Sequence, residues 1–204
     1  VVNALSEWLR VEVCRNGTLY TQEYKRGEPT TKVVKDGKCP QSGTRVTFLP
    51  DVEVFSKIEF DAKRIIDHIR QQAYLTKGVR INFLDMRGEA PELTGFYFEG
   101  GLRSFIKYLS RDEKEFQREV FYTHKEQEEI DVEIAFTYIE DIETRELSFA
   151  NNIYTPDGGM HLTGFRSALT RSINNYARAE GYLKEKDENL TRDSTREGLN
   201  SIVS

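Results

Sequence analysis

The sequence predicts an α+β protein with mixed or antiparallel sheets. Three observations lead there. Several runs, such as residues 7–15 and 43–49, alternate between apolar and polar side chains. Fewer segments carry apolar residues at helical spacing, as at Ile65, Ile66, Ile69 and Ala73. Turn-forming pairs such as Asn16-Gly17 separate neighbouring runs.

In chain order, residues 7–15 form a strand in which Trp8, Val11 and Val13 are separated by charges, and residues 18–25 return as a second strand after Asn16-Gly17. Arg26-Gly27 and Glu28-Pro29 end it, and residues 36–41 read as a polar loop. The run GTRVTFL at 43–49 is a strand closed by Pro50. A helix covers 60–77, with Gly78 as its stop, followed by a strand at 79–84. A short strand at 96–98 precedes Gly100-Gly101, and Leu102, Phe105, Ile106 and Leu109 mark a short amphipathic helix. Three more strands fall at 119–123, 130–138 and 146–150. A long helix after Gly158-Gly159 shows Leu162, Phe165, Leu169, Ile173 and Tyr176 on one face. Gly100-Gly101 divides two parts, each with several strands and a helix, and there is no internal repeat. The first residues, VVNALS, are apolar and helix-prone, and the last, LNSIVS, read as a strand cut in mid-run. Both ends are expected to be truncations that leave part of any active site outside the chain, and a half-sheet exposed in this way should be marginally stable or prone to associate.

The 204 residues suit one large domain or two small ones, and 38% hydrophobic with 31% charged residues is a globular composition. No apolar run reaches the ~20 residues of a membrane helix, and VVNALSEW has neither the basic nor the apolar region of a secretory leader. Cys14 and Cys39 match no metal motif and are expected to be reduced, and His68, His124 and His161 form no metal pair. The net charge of −5 argues against a simple nucleic-acid coat. Residues 112–146 are acidic. The helix expected over 162–186 is basic, with Arg166, Arg171, Arg178, Lys184 and Lys186 against Glu180 and Glu185, which by itself reads as a solvated face.

No complete catalytic constellation is visible: there is no phosphate-binding G-x-x-x-x-G-K-[ST] loop and no G-x-S-x-G elbow. Asp157-Gly158-Gly159 could offer backbone N–H groups to an anion, but a turn feeding the following helix is the better reading. Thr44, at a strand entrance, could hydrogen-bond a ligand or only a neighbouring backbone group. His161, just past the Gly pair, is better explained by a structural hydrogen bond than by proton transfer.

Several segments nevertheless resemble one family. VVNALS at the start, SGTRVTFLPD at 42–51, FEGGLRSFIKYL at 98–109, SFANNIYTPDGGMHLTGFRSALTRSINNYA at 148–177 and TREGLNSIVS at 195–204 resemble the B subunit of bacterial DNA gyrase, in that family's order and spacing. The related topoisomerase IV subunit shares the layout, and GFRSALTRSINNYA looks more like gyrase. The signatures GGxHLxGFRxALTR and REGL argue against a mismatch-repair relative. Met160 stands where the family usually has Thr, and Arg192-Asp193-Ser194-Thr195 replaces the usual Gly-Asp-Asp stretch.

The resemblance implies a partial GHKL ATPase sandwich over residues 1–99, followed at 100–204 by most of a transducer domain resembling the second domain of ribosomal protein S5. It implies a cytoplasmic ATP-dependent type IIA topoisomerase that passes one DNA duplex through another. ATP and Mg²⁺ are the implied cofactors. The implied partners are DNA, a gyrase A subunit in an A2B2 assembly, and a second copy of the B subunit, which dimerises through the ATPase domains on ATP binding. The family's general-base Glu, Mg²⁺-binding Asn and ATP-sensing Lys loop are expected outside this chain, which alone should not hydrolyse ATP. The adenine-holding Thr and pocket-lining Val carry over to Thr44 and Val46. Arg166, and more weakly Arg171 and Lys184, carry over as cations facing a DNA cavity. A stand-alone truncated module that binds DNA or a partner is the rival reading.

Overall fold

Alternating side chains and two-residue turns build the first sheet. β1 (Ser6–Arg15) lies at its centre, antiparallel both to β2 (Thr18–Lys25) and to β5 (Gly43–Pro50). β3 (Glu28–Pro29) and β4 (Val34–Lys38) both pair with β2. Asn16 and Gly17, and again Arg26 and Gly27, have positive φ, as the tight right-twisting hairpin turn requires. The computed structural model describes residues 1–204, which form two compact units, Val1–Asp61 and Ala62–Ser204.

Residues directly opposite in an antiparallel pair share a sheet face. On one face of the first unit Leu9, Val11 and Val13 meet Tyr24, Gln22 and Tyr20 of β2 and Phe48, Val46 and Thr44 of β5. The other face carries charges: Arg10 pairs with Glu12, Glu23 and Asp36, and Arg45 with Glu12. The segment VVNALS is a 3-10 turn (Asn3–Leu5) running into β1, held by residues distant in sequence. The Arg26 N–H donates to the Ser6 carbonyl (3.0 Å) and the Asp51 N–H to the Leu5 carbonyl (3.1 Å). The Asp51 carboxylate, nearly fully buried, accepts from Arg26 Nε at 2.6 Å and from the Glu53 N–H at 2.9 Å. The Glu53 N–H first, and Arg26 with it, hold this carboxyl below the usual aspartate value.

Two expectations change in this unit. Residues 36–38 belong to β4 rather than to a loop, because Val34 and Lys35 pair with Thr21 and Tyr20. The cysteines, expected to be reduced, are paired in this structure: Cys14 and Cys39 form a disulfide with Cα atoms 5.9 Å apart, and no cysteine is free. The reason is the β4–β2 pairing. It carries Cys39 back to the first hairpin turn, where its N–H donates to the Gly17 carbonyl at 3.1 Å.

The second unit begins with α1 (Ala62–Leu75), the hairpin β6 (Arg80–Asp85) and β7 (Glu92–Tyr97), and α2 (Leu102–Leu109). β7 starts earlier than expected because Glu92 is already paired with Asp85. Its five-stranded sheet contains β8 (Phe121–Gln127), β9 (Ile130–Tyr138), β10 (Arg145–Ala150), β11 (Ile153–Tyr154) and β12 (Leu199–Val203), in the order β11-β10-β12-β9-β8. β12 runs antiparallel to β9 and parallel to β10, and α3 (Met160–Ala179) lies in the crossover between β10 and β12. On one sheet face Leu102, Phe105, Ile106 and Tyr74 pack with Ala135, Phe149 and Ile202. Tyr74 stacks between Phe98 and Phe105, with ring centroids at 3.7 and 4.7 Å. On the other face Leu162, Phe165 and Leu169 pack with Leu199 and Val203.

The long helix stops at Ala179 rather than continuing to 186, and the chain then folds back along it. Asn174 ties that return loop down by donating to the Leu190 carbonyl (3.1 Å) and accepting from its N–H (2.7 Å). Arg178 donates to the carbonyls of Lys184 (2.9 Å) and Asp187 (2.8 Å) and to Asn189 Oδ1. Tyr176, expected on the apolar face, is 61% exposed, while Asn174 and Ala177 are buried. No helix is long and apolar enough to cross a membrane.

Gly198 leads into β12 with φ +71, and a Cβ there would stand 2.6 Å from the carbonyl oxygens of both Ile139 and Asp141. Gly198→Ala combines a left-handed backbone with a backbone clash, and should destabilise the second unit by about 2 kcal/mol or more in chemical denaturation. A change within ~0.5 kcal/mol would contradict this packing.

Tyr122 donates to Glu133, and burial first, with that hydrogen bond second, pushes its hydroxyl up to about 12 from an ordinary 10.0. A raised folded value favours the neutral form. The associated stability is therefore complete below the ordinary value and is lost as pH rises through about 12. Tyr122→Phe should lose less stability than the native chain across that alkaline window. Parallel stability–pH curves for the two proteins would refute the assignment.

Candidate functional site

The strand β5, GTRVTFLP, is rich in the β-branched and aromatic residues that suit a pleated surface. Its period of two sets Thr44, Val46 and Phe48 in a row on the face that carries Leu9, Val11 and Val13. Val46 is 51% and Phe48 44% exposed, and the exposed Thr44 hydroxyl makes no hydrogen bond within the chain. Phe48 also lines a cavity of about 310 Å³ with Val2, Leu5, Phe55, Ile58 and Phe60, at the small end of the range for ligand pockets. The hydroxyl, the Val side chain and an apolar hollow thus follow one another along a single strand face. Such a row can hydrogen-bond the edge of a flat heterocycle while covering its face. Sequence reasoning named Thr44 and Val46 and missed Phe48, which the same alternation would have supplied.

The basic helix divides differently. Arg166 Nε lies 3.0 and 3.1 Å from the two carboxylate oxygens of Glu146, and its Nη2 lies 2.6 Å from Oε2. The Glu146 side chain is only 6% exposed and also accepts from Arg196 Nη1 at 3.2 Å. Arg196 reaches Asp193 at 2.6 Å, so two guanidinium groups face two carboxylates. The hydrogen bond to Glu146 raises the Arg166 pKa further. Nη1 of Arg166 takes no part in the Glu146 bonds, and the side chain is 35% exposed. Arg171 is exposed and, five residues on, projects about 140° away around the helix. Lys184 is exposed on the return loop, not on α3. Thr44 and Val46 are therefore brought together, whereas Arg166, Arg171 and Lys184 occupy three separate positions. Glu146, which engages Arg166, and Arg196, which shares that carboxylate, were not anticipated: Glu146 lies 20 residues from Arg166 in sequence.

Gly158-Gly159 joins β11 to α3, and the Gly159 carbonyl accepts from the Thr163 N–H in the first helical turn (3.0 Å). His161 places Nε2 3.4 Å from Thr155 Oγ1, which in turn lies 2.7 Å from the buried Ser148 hydroxyl. No group of three or more His, Cys, Asp and Glu side chains converges in the chain.

Comparison with known proteins bears on both regions. The family model for DNA gyrase B matches residues 101–204, just over half of the chain. The B subunit of DNA gyrase from Clostridium acetobutylicum is 42% identical over 205 residues, covering 100% of this chain and 32% of its own length. The B subunit of DNA topoisomerase 4 from Streptococcus pneumoniae serotype 4 is also 42% identical, over 207 residues, with the same coverage. The chain thus spans about a third of the length of the curated relatives it matches. The crystal structure of the 43K ATPase domain of Thermus thermophilus gyrase B in complex with an aminocoumarin superposes with a TM-score of 0.84 at 39% identity, covering 98% of this chain and 55% of that one. The B subunit of DNA gyrase from Myxococcus xanthus gives 0.82 at 26% identity, covering 98% and 56%. With its second half matched by the family model and its full length matched by proteins of this type, the chain belongs to the DNA gyrase B family.

Proposed function

We propose that this chain is part of the B subunit of an ATP-dependent type IIA DNA topoisomerase, a gyrase, that couples ATP binding and hydrolysis to DNA strand passage and supercoiling. Residues 1–99 are the C-terminal part of its GHKL ATPase domain, and residues 100–204 most of its transducer domain. The family model's match over 101–204 supports that division. A topoisomerase IV B subunit is the second reading, favoured by relatives of that kind at the same 42% identity. The protein acts in the cytoplasm with DNA, with a gyrase A subunit in an A2B2 assembly, and with a second copy of the B subunit engaged on ATP binding.

One observation carries the nucleotide reading: Thr44 and Val46 stand side by side on an exposed strand face that runs into an apolar hollow. These residues fit an adenine ring. The Thr44 hydroxyl can both donate and accept at the base edge, and Val46 covers its plane. ATP would supply the binding energy that changes the protein's state, with Mg²⁺ bound elsewhere in the enzyme. On the DNA side, Arg166, Arg171 and Lys184 contact phosphates without reading sequence. Arg166 does so through Nη1 while Glu146 fixes the rest of its guanidinium.

ATP turnover by the 204-residue chain should be absent, and its binding of an adenine nucleotide should weaken roughly five- to tenfold in Thr44→Ala, the loss of about one hydrogen bond. Turnover by this chain alone, or binding indifferent to Thr44→Ala, would defeat the nucleotide reading.

Duplex DNA binding across a salt series tests the cations. Arg166→Gln, Arg171→Gln and Lys184→Gln should each reduce the slope of log affinity against log salt by about 1. Arg166→Gln should also lower the melting temperature, because it strips a buried carboxylate of a partner. Three unchanged slopes would remove these residues from the DNA interface.

A further inference from the structure

We propose that the Cys14–Cys39 pair is a redox-sensitive staple that positions Thr44, an inference that rests on the adenine reading of that residue. The argument is one of connectivity. The chain ends β4 at Lys38, reaches the disulfide at Cys39, and passes through Pro40, Gln41 and Ser42 to begin β5 at Gly43. Gly43 is the register partner of Cys14, and Thr44 that of Val13. Both ends of segment 39–43 are therefore fastened to the same residue, one end by a covalent bond and the other by strand pairing. Only three residues of slack separate the disulfide from the start of the candidate nucleotide strand.

Apart from the disulfide, that end is held by backbone pairing alone: Lys38 with Thr18, the Cys39 N–H with the Gly17 carbonyl at 3.1 Å, and Gly43 with Cys14. β5 is an edge strand, paired only with β1. Every residue of β4 is exposed, and its ladder with β2 is interrupted between Thr18 and Tyr20. Gly43 brings no side chain to pack. The far end of β5 is fixed independently, by Asp51 with Arg26 and by the Asp51–Leu5 backbone bond. Opening the disulfide should therefore free residues 39–46 and leave 48–50 in place. Both cysteines are half-exposed, so a small thiol or disulfide can reach them.

The chemistry balances with a low-molecular-weight disulfide as oxidant. One cysteine thiolate attacks it, forming a mixed disulfide and releasing one thiol. The second cysteine thiolate displaces the other thiol and closes Cys14–Cys39. The protein loses two electrons and two protons, and the oxidant becomes two thiols. In a reducing compartment the pair stands as a dithiol, so the staple closes only when the thiol pool is oxidised.

The test uses the full 204-residue chain in three forms: oxidised with glutathione disulfide, reduced with dithiothreitol, and Cys39→Ser kept in oxidant. Alkylation and intact mass should count no free thiols in the first and two in the second. Backbone amides of residues 43–46 should exchange about tenfold faster in the reduced chain and in Cys39→Ser than in the oxidised chain, with residues 48–50 and β12 unchanged. Cys14→Ser should behave as Cys39→Ser does. Two thiols that persist in glutathione disulfide, or equal exchange at 43–46 in all forms, would overturn the inference. A fluorescent ATP analogue should bind more tightly to the oxidised chain. If it bound neither form while exchange still differed, the staple would stand and the adenine reading of Thr44 would fall.

Discussion

A strand with no solvent on either face governs the second unit. All five residues of β12 are buried, and it is hydrogen-bonded to β9 on one side and to β10 on the other. Its side chains must therefore satisfy two packing layers at once. Leu199 and Val203 complete the layer under α3, Ile202 completes the layer under α2, and the Nδ2 of Asn200 donates to the Ser110 hydroxyl at 3.0 Å. Because β12 is parallel to β10, the chain must cross over between them, and α3 lies in that crossing. The polar fastenings along the return loop follow from this. Asn174, Arg178 and the Glu146–Arg166–Arg196 group each remove freedom from a long connection whose end must enter the middle of a sheet in register.

The first unit solves the same problem with shorter means. Its core strand β1 enters from a turn that has little side-chain packing of its own. Its position comes from the Arg26 and Asp51 N–H groups bonding the Ser6 and Leu5 carbonyls. The Arg26–Asp51 ion pair joins those two donors to each other. The segments VVNALS and FLPD, some 45 residues apart, are two sides of one fastening.

Such couplings explain what could be read from the sequence. Alternation in 7–15 and 43–49, the Asn16-Gly17 turn and the helical spacing around Phe105 are local signals, and the corresponding elements are present. β4 was not legible because its polar residues become a strand only through β2. The cysteine pairing depends on that same contact and so was equally hidden. The row Thr44, Val46 and Phe48 was legible in principle, since one period generates it. The state of the cations was not. Composition counts five within residues 162–186, yet Arg178 is occupied by the return loop and most of Arg166 by a buried carboxylate. A charge that answers an internal partner is invisible to a count of charges.

The two faces of the first sheet decide where a ligand can act. The reverse face carries ion pairs, in which Arg10, Glu12, Glu23, Asp36 and Arg45 answer one another, beside Trp8 and Leu49. At partial exposure these pairs contribute little stability, but covering them would require desolvating all five charges. The opposite face presents Val46 and Phe48, beside a hollow lined by apolar side chains, and the Thr44 hydroxyl. Covering that face removes apolar area from water, a gain of roughly 25 cal/mol per Å². On the side where Thr44 stands, a flat ligand would meet apolar area and a hydroxyl without an internal partner rather than these five charges. Its alignment there depends on how firmly the first residues of an edge strand are held against β1.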